Sequence, residues 1–212
     1  MAAVSNRSAL FLVPSLLIPS GRDLRSAAKF ALAGAVLAGL FGILHDQITY
    51  TISPEYFTRM KFDQFRAADF GLPPRGRVAL IGFLGTWWVG LIGAWFLARV
   101  AVRKWQRPGK LVMKALLGII GIAVAFGIAG YFAGPAFLSN RAGWPDALAG
   151  MGVTDAQAFH RVAAIHLGSY VGAFLGWVAM LIGFLWRSFM TFEPRLMMSL
   201  HDAVALRPWN QG

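Results

Sequence analysis

The chain has 212 residues, 57% of them hydrophobic and 14% charged, with a formal net charge of +11 and a mean hydropathy of +0.58. A soluble domain carries about 45–50% apolar and about 25% charged residues, and a chain this short cannot bury the excess inside a water-facing globule. The composition excludes a soluble enzyme domain, a disordered chain and a collagen-like fibre; the absence of cysteine excludes disulfides, thiolate zinc sites, iron–sulfur clusters, c-type haem attachment and cysteine nucleophiles.

Residues 1–20 combine Arg7 with an apolar run, 9–18, that Pro14 interrupts and Pro19 follows. They read as an interfacial or signal-like segment, with the uncleaved form preferred because no A-x-A site follows. A bilayer core needs about 20 apolar residues in a helix. Four stretches qualify, at about 29–50, 78–102, 111–138 and 162–186. Backbone groups in lipid must pair internally, and uniformly apolar runs point to helices rather than barrel strands. The expected fold is therefore all-α: an integral membrane four-helix bundle, one domain over 1–212.

The first span carries an inference. Its apolar part, 30–44, covers about 22 Å at about 1.5 Å per residue, short of a hydrocarbon core of about 30 Å. The helix must continue through His45, Asp46 and Gln47 to about Tyr50. Two ionisable groups then sit inside the membrane edge, where such groups are costly and mark functional sites.

Ser53, Pro54 and Glu55 form a helix start, with Ser at the N-cap, Pro at N1 and an acid in the first turn. The predicted helix over 54–66 alternates Tyr56, Phe57, Met60, Phe62 and Phe65 with Arg59, Lys61 and Arg66. That mixture suits a helix lying in the membrane interface, and the Gly/Pro-rich stretch 71–76 ends it. The second loop passes Gly134-Pro135 and Trp144-Pro145. It then reaches Thr154-Asp155-Ala156-Gln157, a capping-box pattern that starts the fourth helix near Asp155.

Small residues recur at packing intervals: Gly168, Gly172 and Gly176 on the fourth span, Gly130 and Gly134 on the third, with Gly118, Gly121 and Gly127 nearby. Such ridges let helix backbones approach each other in lipid, within the bundle or against another subunit. Spans 1–2 and 3–4 show no internal repeat, so an inverted-repeat transporter is not supported.

Thirteen of the twenty basic residues flank the spans before the first helix, between the second and third, and in the tail. By the positive-inside rule both termini are cytoplasmic and the loops 45–77 and 139–161 face outward. The net charge reads as this topology signal and as attraction to anionic head groups, not as nucleic-acid binding.

Topology then converges His45, near the outer end of span one, with His166, near the outer start of span four. His160, Asp46, Glu55 and Asp155 lie on the same side. Imidazole nitrogen and carboxylate oxygen suit zinc, copper or iron. The candidate ligands are His45, Asp46, Glu55, His160 and His166, with Gln47, Tyr50, Tyr56, Ser169 and Tyr170 as supporting groups. His160 and His166 are six apart on one helix and point about 120° apart, so they are not an i, i+4 ligand pair, which leaves room for one as a ligand and the other as a supporting group. A satisfied interfacial hydrogen-bond network without cofactor and a proton or ion path are the other readings of the cluster. A b-type haem between His45 and His166 is disfavoured because both lie near the membrane edge. His201 lies in the tail and reads as solvated. No P-loop, G-x-S-x-G, H-E-x-x-H or dinucleotide fingerprint is present.

The run His45-Asp46-Gln47-Ile48-Thr49 followed by Glu55-Tyr56-Phe57, and the later His160…His166-x-x-Ser169-Tyr170 with Gly172 and Gly176, resemble two motifs of a family of small multi-span bacterial membrane proteins. The resemblance covers about a third of the chain and carries no activity with it. It implies that the two motifs belong together and that the membrane is a bacterial inner membrane. Three functions compete: a metal site on the outer face; an accessory subunit of a respiratory or photosynthetic membrane complex, given the small loops, the glycine ridges and eight tryptophans; and a small channel or transporter, which lacks a charged stripe.

Overall fold

A computed structural model of the chain describes residues 21–105, 107–139, 141 and 143–190. The segment 1–20 and His201 lie outside the described residues. Among the described residues every regular element is helical: α1 (Gly21–Ile52), α2 (Pro54–Tyr56), α3 (Phe62–Gln64), α4 (Pro74–Lys104), α5 (Pro108–Leu138), α6 (Trp144–Gly150) and α7 (Ala156–Met190). Four of them, α1, α4, α5 and α7, are long and apolar enough to cross a membrane. The protein is a multi-pass membrane helix bundle.

The helices are longer than the apolar runs because their ends are built from punctuation. Pro74 and Pro108 occupy first-turn positions of α4 and α5, where the missing N–H costs nothing. α1 reaches Ile52 without a break, as the length of its apolar part requires, and stops before Ser53-Pro54, since the residue preceding a proline is pushed out of helical conformation. Its inner face is small or polar, with Ala27, Ala31, Gly34, Gly42, Asp46 and Thr49 buried. Its outer face is a stripe at four-residue spacing, Leu32, Val36, Leu40, Leu44 and Ile48, each 52–64% exposed. Small inside and large outside is the arrangement lipid favours, because outward apolar groups lose nothing and inward small ones let backbones meet.

Backbone contact divides the bundle into two antiparallel pairs. In α1/α4, a Cβ on Gly42 or Gly82 would strike the other residue's carbonyl, and Gly34 and Gly90 are related in the same way. Between these crossings Thr86 Oγ1 lies 2.7 Å from the Ala38 carbonyl. In α5/α7, Gly130 faces the Ala164 carbonyl, Gly168 that of Phe126, Gly134 the Ala164 methyl, and Gly172 and Gly176 the Phe126 and Ile122 side chains. All five ridge glycines thus lie between α5 and α7. Side chains join the two pairs, as where Trp177 Nε1 donates to the Gly93 carbonyl at 3.1 Å.

The segment after α1 departs from the single helix expected over 54–66. α2 passes into a π-helical turn (Phe57–Lys61), then α3, then a 3-10 turn (Arg66–Ala68). Tyr56 and Phe57 are adjacent, yet both are buried. A regular helix would turn them about 100° apart; the π turn that begins at Phe57 is a rare element that occurs mostly as a single-turn bulge. Ser53 sits at the N-cap position but its hydroxyl makes no capping bond and is buried without a partner. Arg77 on α4 secures the segment, donating to the Phe62 carbonyl at 2.8 Å and pairing with Asp69 at 2.9 Å. The second loop contains α6, a helix that its Trp-Pro start does not announce by apolar periodicity.

Candidate metal centre

Asp46 is the hub of a buried cluster. It faces inward on α1 beside Thr49 because the small-residue face of the helix runs straight into it. His45 Nδ1 lies 3.1 Å from Asp46 Oδ1. From α7, His166 Nε2 approaches the same oxygen at 3.2 Å. The two imidazoles meet edge to face with ring centroids 4.6 Å apart. One nitrogen from each histidine and one carboxylate oxygen all lie within 4.8 Å of one another.

The far nitrogens are also engaged. His166 Nδ1 lies 2.9 Å from the Val162 carbonyl one turn earlier; a carbonyl accepts, so this nitrogen carries the proton and donates. His45 Nε2 lies 3.2 Å from Ser169 Oγ. With that hydroxyl as acceptor, His45 also turns an unprotonated nitrogen to Asp46. A metal-binding histidine characteristically gives its remote N–H to an oxygen, which fixes ring and tautomer, and both rings fit this pattern. The 3.1 and 3.2 Å separations are close to the about 3.3 Å between neighbouring ligands around a tetrahedral ion with bonds of about 2.0–2.1 Å.

In that tautomer two lone pairs and a carboxylate face one another in a dry site and take up positive charge, a proton or a metal ion; with the Ser169 hydroxyl donating instead, His45 Nδ1–H donates to Asp46. His166 is 2% exposed and Asp46 6%, so water is nearly excluded. Tyr56 closes the site, its ring centroid 4.7 Å from that of His166, with Phe57 at 6.1 Å behind it and Tyr170 at 6.0 Å on the α7 side. Burial pushes the Tyr56 phenol far above its usual range, with Tyr170 and Asp46 adding to the effect. Lys61, over the Tyr56 ring at 5.9 Å, is lowered by burial.

Other expected site residues lie elsewhere. Glu55 accepts from the Asp155 N–H at 2.9 Å, the Thr154 hydroxyl at 2.7 Å and the Thr154 N–H at 3.1 Å. Its carboxyl is held below the ordinary range by the Asp155 N–H and the Thr154 hydroxyl and N–H. It ties the α2 segment to the start of α7, a position where an anion meets unpaired N–H groups. Thr154 is thereby diverted from the capping role its spacing indicates, and Asp155 caps instead, accepting from the Ala158 N–H at 2.9 Å. His160 stacks on Trp144 with ring centroids 6.2 Å apart and has no partner for its buried Nε2. Gln47 donates to the Arg75 carbonyl at 2.8 Å, and Arg75 lies over the Tyr50 ring at 5.2 Å, so both serve the α1/α4 junction. Ser169, Tyr56 and Tyr170 do surround the cluster.

The arrangement defines a class: a membrane helix bundle with a buried His/Asp cluster linking its first and last spans. No protein-family model matches the chain, and neither the curated proteins nor the solved structures include a significant match.

Proposed function

We propose that this chain is a multi-pass protein of a bacterial inner membrane that binds one transition-metal ion through His45, Asp46 and His166. The observation that carries the reading is the convergence of three ligand atoms whose remote ring nitrogens both face oxygen. The alternating basic flanks support an orientation with both termini cytoplasmic and the cluster toward the outer face. Zinc, copper and iron suit two imidazoles and a carboxylate. Three protein ligands leave a position free, the pattern of sites that bind a further ligand or do chemistry rather than of closed structural sites. An ion bound there would polarise that further ligand. The protein's own part is to hold the rings through Val162 and Ser169 and to exclude water with Tyr56 and Phe57. A haem is a poor fit, since the imidazoles are edge-on at 4.6 Å and share one carboxylate, leaving no slot for a porphyrin between them.

Titration of metal-free protein in detergent with cobalt(II), followed by its visible ligand-field absorption, tests the reading. The expected result is a saturable signal at one ion per chain that Asp46→Asn and His166→Ala remove. A featureless titration, or a signal unchanged in both variants, overturns it.

A further inference from the structure

A cavity of about 480 Å³ lies in the seam between the two helix pairs. Pockets that hold compact organic ligands span about 300–1,000 Å³. Its walls come from all four long helices, from Gly34 to Phe41 on α1, Gly85 to Phe96 on α4, Leu116 to Ala123 on α5 and Ser169 to Trp177 on α7. They are almost entirely apolar. The Thr86 hydroxyl among them is committed to backbone carbonyls at 2.7 and 2.8 Å. Free polar character collects at one end, where Ser169 and Tyr170 line the cavity and the rings of Phe41 and His45 lie 5.6 Å apart. The Tyr170 hydroxyl has no hydrogen-bond partner among the described residues. Trp177 bounds the other end, its indole fixed to Gly93.

Three properties select the occupant. The lining runs from Ser169 to Trp177 on α7 and from Gly85 to Phe96 on α4, about 12–16 Å of helix at about 1.5 Å per residue. That takes a ring and the beginning of a chain but not a whole isoprenoid or acyl tail. The walls carry aromatic faces from Phe41, Trp88, Phe96, Phe174 and Trp177, which suit a planar ring. Trp88, Phe96 and Phe174 are also 50–63% exposed on the outside of the bundle, so a tail can leave toward lipid between α4 and α7. The polar end offers the Tyr170 hydroxyl, and among the described residues no cationic side chain lines the cavity. An anionic phosphate head would find no counter-charge in these walls, whereas a neutral carbonyl would accept from Tyr170.

We propose that this seam is a binding site for a quinone-type lipid, its ring among the aromatic side chains and one carbonyl on the Tyr170 hydroxyl. The site adjoins the His/Asp cluster but does not depend on a metal being there.

The test is titration of the detergent-purified protein with decyl-ubiquinone, read as quenching of the tryptophans lining the cavity. The expected result is saturable quenching, weakened about tenfold by Tyr170→Phe and abolished by Ala173→Phe, which fills the cavity. Protein stripped of metal with a chelator should keep quinone binding, which separates this proposal from the metal reading. Linear quenching without saturation, or saturation unchanged in Tyr170→Phe, overturns the proposal. If Ala173→Phe does not fold, the Tyr170→Phe comparison decides alone. Phosphatidylglycerol or phosphatidylethanolamine displacing the quinone at equal concentration would overturn it in favour of a phospholipid site.

Discussion

The interior of each helix pair and the seam between the pairs are built on opposite principles. Within α1/α4 and α5/α7, glycines bring backbone onto backbone, as at Gly42/Gly82 and at Gly130 against Ala164. Across the seam the helices stand apart, leaving a cavity of about 480 Å³ and the His45–Asp46–His166 cluster at its end. Tight glycine packing brings backbones together within each pair, and the looser seam is where the polar cluster and the cavity lie.

The largest effect should come from breaking a pair. Gly130→Leu or Gly42→Leu drives a side chain into backbone that cannot yield. Overpacking of this kind costs about 3 kcal/mol, or about 6–12 °C in Tm for a chain of this size, measurable by thermal melting in detergent. Gly121→Ala and Gly183→Ala, which have nothing within 4 Å of the added methyl, should lose no stability, and the better helix propensity of alanine should add up to about 1 kcal/mol.

The next two changes act on the seam and leave the pairs intact. Asp46→Ala removes the shared ligand oxygen and is expected to weaken cobalt binding more than the loss of a supporting group, which is typically about 10–100-fold. Ser169→Ala removes the acceptor that fixes the His45 ring, so a loss of about tenfold is expected in the same titration, with Tm nearly unchanged.

The smallest effect concerns the strap over the cluster. Glu55 has its carboxyl depressed below 4.5 by the Asp155 N–H and the Thr154 groups. A depressed folded value means the contribution is complete above the unfolded value and is lost as pH falls through the lower folded one. Glu55→Gln should therefore lower Tm modestly at pH 7. The gap to the parent protein should close as the pH drops below about 4.5.

The apolar runs were enough to place the four spans, and a length argument carried α1 through His45 and Asp46. Antiparallel direction alone brought His45 level with His166. Other parts depend on contacts that no local pattern records. Glu55 lies on the same side as the histidines but is claimed by two N–H groups and a hydroxyl 99 and 100 residues away. Six residues of separation turn His160 away from His166, and Trp144 takes it up. The α1/α4 pairing did leave a signal, in glycines eight apart at Gly34 and Gly42 and again at Gly82 and Gly90. The π turn at Phe57 has no local sequence signal, and both rings beside it are buried by packing from distant parts of the chain.

Elemental analysis of the protein purified in mild detergent from its native membrane tests the central claim most directly, with Asp46→Asn and His166→Ala prepared alongside. The account predicts about one zinc, copper or iron ion per chain in the parent protein and none in either variant. Parent protein free of metal, or metal retained in both variants, would contradict it.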